Sequence, residues 1–268
     1  VSSGGIEIAG VRYAYSETGS GPLVVFLHGT LSGKESFDES LRRLRSDYRC
    51  VAFDWPGHGE SGWDPGGWSA DDLVAAMPEM IAGLGEERAV LVGLSQGGAI
   101  ATRTAIRHPE VVRGLVLINA APEPPGPEAV EALAKIGRTL QSGDDDARRE
   151  AAEGLMTIFH APGWIERNPD VASRELRQIL HHPREAMIHV TALPASYRSV
   201  LDELGEISAP TLVLWGEHDP RSVRGAEMVE RIPDSELGTI PGAGHLATLE
   251  APAEIGEAVA GFLARLDG

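Results

Sequence analysis

Ser95, Asp219 and His245 are of the types that together turn a weak hydroxyl into a nucleophile, and each stands where a strand-like run ends. Ser95 lies in "LVGLSQGGAIA" (residues 91–101), at the corner between a strand-forming run and a helix-forming one. Gly93 and Gly97 flank it two residues either side, and Gly98 extends the run of small residues. A serine on so tight a strand-to-helix turn takes a strained backbone that pushes Oγ out of the sheet. Its neighbours must then be small to clear the adjacent backbone. The helix start also presents free N–H groups and partial positive charge, which stabilise a developing oxyanion. The same serine could instead be an ordinary N-cap. The spacing alone leaves both readings open.

A serine hydroxyl needs a base, and the base needs an orienting acid. "LVLWGEHD" leaves a strand and places Asp219 past its end; "PGAGH" leaves the next and places His245 in the following loop. Loops at the C-terminal edge of a parallel sheet converge on one place. The order serine, acid, histidine is one of the known arrangements of such a triad. Glu123, just past another strand, is an alternative acid. "FLHGTLS" adds a fourth element, because its strand ends at His28-Gly29 and turns the Thr30 N–H toward the same centre. With the Gln96 N–H it forms a two-donor oxyanion hole, each donor worth about 3 kcal/mol in the transition state. His28 is expected to hold that loop by hydrogen bonding. Asp54 and His58, in the turn "FDWPGHGESG", are expected to serve its shape.

These residues require a particular scaffold. "IEIAGVRYAYSE" alternates as a hairpin around Gly10, and "LVVFLHG", "CVAFDWPG", "AVLVGLS" and "GLVLINAA" are short continuous apolar runs. Runs of this kind suit strands covered on both faces, as in a parallel sheet. Helical stretches separate them at 37–44, 71–83 and 96–108. From 122 to 205 no strand is evident, and helical pieces fall near 128–141, 147–159, 170–181 and 184–193. "APTLVLWGEHD" and "SELGTIPGAGH" resume the strands, and 253–266 closes as an amphipathic helix. The chain therefore divides into a sheet domain, 1–121 with 206–268, and a helical cap, 122–205. Trp164, Met156, Phe159, Met187 and Leu193 either line a pocket or pack the cap onto the sheet.

The set "HG", "DWPGHGES", "GLSQGG", "GEHD" and "GAGH", in this order and spacing, resembles the α/β-hydrolase superfamily over 20–121 and 205–266. Within it the chain is most similar to 3-oxoadipate enol-lactonases and related ester or lactone hydrolases. Gln96 stands where the nearest subfamilies carry Met or Leu. The resemblance implies a mostly parallel eight-stranded sheet with a helical cap inserted after strand 6. It implies Ser95 as nucleophile, His245 as general base and then acid, and Asp219 as its orienting carboxylate. Trp164, His28, Leu31 and Leu246 are expected to border the substrate. A serine at this position argues against the aspartate chemistry of haloalkane dehalogenases and most epoxide hydrolases.

Composition narrows the partners. Lys plus Arg is 23 against 40 for Asp plus Glu, a formal charge of −17 without a basic cluster, so nucleic acid and membrane are not expected. Cys50 alone cannot form an internal disulfide. No apolar run reaches the ~18 residues of a membrane span and no signal-peptide pattern opens the sequence. The expectation is a cytoplasmic protein, monomeric or homodimeric, acting on a small molecule. His160, His181, His182 and His189 lack metal-ligand spacing, so neither metal nor cofactor is expected. Three readings follow: an ester or lactone hydrolase, a carbon–carbon hydrolase of a diketone-type substrate with the same triad, and a small-molecule binding protein on the same fold.

Overall fold

The computed structural model describes residues 1–267. Its strands are β1 (Ser2–Ile8), β2 (Val11–Thr18), β3 (Leu23–Leu27), β4 (Arg49–Phe53), β5 (Ala89–Leu94), β6 (Val112–Ile118), β7 (Thr211–Gly216) and β8 (Ser235–Ile240). They form one sheet in the order β1-β2-β4-β3-β5-β6-β7-β8. Only β2 runs against its neighbours; every other pairing is parallel. Ala9 and Gly10, both with positive φ, close the β1–β2 hairpin as its twist demands.

The apolar runs follow from the layers on either side. Leu23, Val25 and Leu27 of β3 face one core, and Val24 and Phe26 the other. The first core is shared with α2 (Ala70–Gly83) and α3 (Gln96–Arg107); the second with α1 (Asp38–Leu44) and α11 (Pro252–Asp267). Side chains buried on both faces leave no polar alternation, which is why these strands read as continuous.

Between β6 and β7 the chain is helical: α4 (Pro127–Ser142), α5 (Asp145–Phe159), α6 (Trp164–Arg167), α7 (Pro169–His181) and α8 (Met187–Ala192). This insertion has its own core, in which Leu140, Leu155, Met156, Trp164, Ile179 and Met187 meet Leu31 from the sheet layer. Two further helices, α9 (Val223–Arg231) and α10 (Ala247–Glu250), have no counterpart in the sequence reading. α9 buries only Gly225 and Met228, too few apolar positions to show a helical period, and α10 is a single turn. No helix among the described residues is long and apolar enough to cross a membrane.

α3 is seated directly on the backbone of β3 and β5. A Cβ at Gly97 would overlap the Leu27 carbonyl oxygen, and one at Gly93 would lie 2.5 Å from the Gly97 carbonyl carbon. The obstacles are main chain, so no side chain can swing away. Gly93→Ala is accordingly expected to destabilise the protein by about 1–3 kcal/mol, as overpacking does. Gly154→Ala, in α5 with nothing near its Cβ position, is expected to stabilise by about 0.5–1 kcal/mol. Urea unfolding followed by circular dichroism measures both.

Candidate active site

Ser95 sits at the junction of β5 and α3 with φ 50° and ψ −111°, outside the ordinary regions for a residue with a side chain. Its N–H donates to the Ile118 carbonyl (2.8 Å) and its carbonyl accepts from the Ala99 N–H (2.8 Å). Its hydroxyl makes no capping bond to α3; Oγ lies instead 2.9 Å from His245 Nε2. The side-chain cap bond that an N-cap serine would make is therefore absent. His245 Nδ1 is 2.6 Å from Asp219 Oδ2, so Nδ1 carries the proton and the Nε2 lone pair faces the Ser95 hydroxyl.

Asp219 follows β7 and His245 follows β8, both buried. Burial works against the Asp219 carboxylate, but the His245 hydrogen bond and Arg221 hold it below its usual range. Burial also pushes His245 down, and its own bond to Asp219 offsets this only in part because Arg221 adds to the depression. The Arg221 Nη2 lies 2.7 Å from Nδ1 and 3.1 Å from Nε2 of that ring.

Gly29 brings the loop after β3 against the serine: its Cβ position would stand 3.3 Å from Ser95 Cβ. Thr30 and Gln96 both border the cavity above, and Thr30 Oγ1 donates to Gln96 Oε1 at 2.8 Å. Leu31 then takes φ 60°, costly for a branched residue. Its N–H donates to His58 Nε2 (3.1 Å), and His182 Nε2 donates to its carbonyl (3.2 Å). His28 completes a row of three imidazoles that meet edge to face, and it is bonded to the Gly29 carbonyl and the Trp55 N–H. Burial pushes His28 down, His58 well down, and His182 down to about 4.

The cavity encloses about 580 Å³ between the sheet edge and the insertion. Ser95, Gln96, Thr30, His245 and the expected Leu246 border it, and Phe159, Leu133 and Ile136 form apolar wall. Three expected contacts lie elsewhere. His28 is wholly buried beneath the loop, Leu31 faces the insertion core, and Trp164 stacks on His160. Each is large and near the site in sequence or layer, yet its packing partners hold it behind the wall. Met156 and Met187 pack the insertion, and Leu193 packs in the sheet core. Glu123 borders the cavity but pairs with Arg224 at 3.2 Å. Asp54 is buried against Lys34 (2.6 Å), shaping its turn. His181 is exposed and His189 packs on Trp68; no cluster among the described residues is arranged to hold a metal ion.

Sequence reasoning missed Asn119, Arg221, Arg224 and Glu250. Asn119, with φ 48°, donates from Nδ2 to the carbonyls of Gly244 (2.9 Å) and His245 (2.6 Å) and accepts from the Gly216 N–H. Its only signal is a polar residue closing the run "GLVLINAA". Arg221 and Arg224 follow "GEHD" among other charges, where nothing marks them.

A model of the Alpha/beta hydrolase family matches residues 24–258. The 2-hydroxy-6-oxononadienedioate/2-hydroxy-6-oxononatrienedioate hydrolase of Paraburkholderia phymatum is 30% identical, covering 98% of this chain and 93% of its own. A thermophilic esterase from Thermogutta terrifontis, solved with malate bound, superposes with a TM-score of 0.90 at 26% identity, covering 99% of each chain. The enol-lactonase from Burkholderia xenovorans superposes at 0.87 and 22% identity, covering 97% of this chain and 100% of that one, a likeness of fold.

Two outcomes test the electrostatics. Because Arg221 lowers the basicity of His245, Arg221→Gln is expected to raise the His245 pKa, read directly by NMR titration of the ring. The depressed pKa values of His28, His58 and His182 mean that the unfolded chain binds more protons below pH ~6.5. Stability is therefore present above that pH and declines as pH falls toward about 4. A melting temperature that is flat from pH 7 to 5 would contradict this assignment.

Proposed function

The chain belongs to the α/β-hydrolase family, and on that premise we propose that it is a serine hydrolase acting on a small carboxylic ester or lactone through an acyl-enzyme. The observation that carries the reading is the continuous pair of hydrogen bonds, Ser95 Oγ to His245 Nε2 and His245 Nδ1 to Asp219, on the floor of a cavity. Ser95 Oγ attacks the substrate carbonyl as His245 Nε2 takes its proton. The N–H groups of Thr30 and Gln96 hold the resulting oxyanion, each worth about 3 kcal/mol in the transition state. The imidazolium returns its proton to the departing alcohol oxygen, which in a lactone stays tethered to the acyl group. Water, deprotonated by the same Nε2, then attacks the acyl-serine and releases the acid. The helical insertion acts as a cap that supplies the apolar wall.

The wall also carries Arg221 and Arg224, the second already paired with Glu123 and Glu227. A substrate with an apolar body and one carboxylate fits this lining. The named substrates of the P. phymatum relative are dioates bearing a ketone, which supports an anionic substrate and favours, as second reading, hydrolysis of a carbon–carbon bond in a diketone-type compound by the same residues.

Labelling with a fluorophosphonate, followed by intact mass and peptide mapping, tests the core of the proposal. One adduct on Ser95 is expected in the native protein and none in Ser95→Ala, whose ester turnover is expected to fall by about 10⁶. A folded protein that neither accepts the probe nor turns over a small aryl ester would favour a binding protein on this fold. Turnover of a vinylogous diketone faster than of any ester or lactone would select the second reading.

A further inference from the structure

The insertion and the loop carrying His245 meet at a buried cluster that the proposed chemistry does not use. His160, at the end of α5, is buried, and its ring stacks on Trp164 of α6 with centroids 4.1 Å apart and planes 7° apart. His160 Nε2 lies 2.6 Å from Glu175 Oε2 on α7, and Nδ1 lies 3.3 Å from Glu250 Oε1 at the end of α10. The side chains of His160 and Glu250 are each 1% exposed and that of Glu175 9%. A neutral imidazole has one N–H and one lone pair, so one of these carboxylates would face a lone pair. An imidazolium satisfies both, and its charge offsets two anions that would otherwise repel each other out of water. Burial opposes that charge, yet the hydrogen bond to Glu175 and the Glu250 carboxylate facing Nδ1 prevail and raise His160 to about 9. α6 contributes the uncharged indole, whose face also favours a cation.

Glu250 connects this cluster to the base. Its Oε2 accepts the N–H of Ala161 (2.9 Å), next to His160, and the N–H of Gly244 (3.0 Å), next to His245. The His245 N–H donates to the Phe159 carbonyl (2.8 Å), and the Phe159 ring lies 4.9 Å from the His245 ring. A Cβ at Gly244 would come within 2.5 Å of the Ala161 nitrogen, so the two segments meet main chain to main chain.

We propose that His160 is a positioning residue for the reaction: as an imidazolium shared by Glu175 and Glu250, it latches the helical insertion to the loop that carries His245 and so fixes the base against Ser95. The proposal rests on the assignment of Ser95, His245 and Asp219 above. Deprotonation of His160 leaves two buried carboxylates without a cation, so the latch holds at neutral pH and releases as pH rises through about 9.

The experiment reads the rate of fluorophosphonate labelling of Ser95 from pH 6 to 10.5, which reports the readiness of the nucleophile without a known substrate. In the native protein the rate is expected to fall above pH about 9. In His160→Gln it is expected to be ten- to hundredfold lower at pH 7.5, the cost of a misplaced base, with the alkaline fall abolished. In Glu175→Gln, which keeps one carboxylate, the fall is expected at lower pH than in the native protein. Folded variants with native rates and a native pH profile would overturn the latch while leaving the nucleophile intact. Failure of the native protein to label would instead overturn the underlying assignment. Should the variants not fold, ¹⁵N NMR of the native His160 ring decides: both nitrogens protonated at pH 7.5 is expected, and a neutral ring would overturn the proposal.

Discussion

The centre of this molecule depends on the contact between the start of α3 and the backbones of β3 and β5. There is no volume for side chains at Gly93, Gly97 and Gly98, and the turn at Ser95 is possible because glycine carries none. Of the four non-glycine residues with positive φ, Ala9 closes the hairpin; Leu31, Ser95 and Asn119 all follow strands at the edge that carries the site. Strained backbone of this kind costs about 1–3 kcal/mol per residue and persists only where the surroundings over-determine it. Here they do: Leu31 is held between two imidazoles, Ser95 between β6 and α3, and Asn119 by its bonds to two neighbouring strand ends.

How much of this was legible depended on how local the signal is. The strands are written as unbroken apolar runs because both faces are covered, and the glycines around Ser95 stand in one short stretch although Gly97 answers to the backbone of β3 and Gly98 to Ala120. Asp219 and His245 are legible as candidates because they stand at strand ends that share an edge. Packing depth is another matter. Nothing in "FLHGTLS" says that the Leu31 side chain turns toward the insertion, nor does "HAPGWIERN" say that Trp164 covers a histidine instead of a substrate. Arg221, Arg224 and Glu250 stand among ordinary surface charges, and their roles come from residues far away in the chain.

Burial pushes every enclosed imidazole toward its neutral form, and the partners decide how far it goes. His28, His58 and His182 meet backbone groups, which accept one N–H and supply one to the remaining nitrogen; they stay neutral and serve as scaffold. His160 meets two carboxylates and becomes a cation. His245 falls between these cases. One carboxylate orients it, one hydroxyl faces it, and a guanidinium beside it keeps its proton affinity low. On the proposed reading, in which His245 takes and returns a proton within one cycle, this intermediate setting is what the role requires.

The backbone N–H and C=O groups of Gly244 and His245 are all paired. The carbonyls of Gly244 and His245 both accept from Asn119, which belongs to the sheet side. The N–H of Gly244 goes to Glu250, and through Glu250 to His160; the N–H of His245 goes to Phe159 on the insertion. Buried backbone groups must be paired, and here three of the four are paired from the sheet domain and one, the His245 N–H, from the insertion. The position of His245 over Ser95 is therefore a property of the closed arrangement, in which sheet and insertion are already joined at this corner.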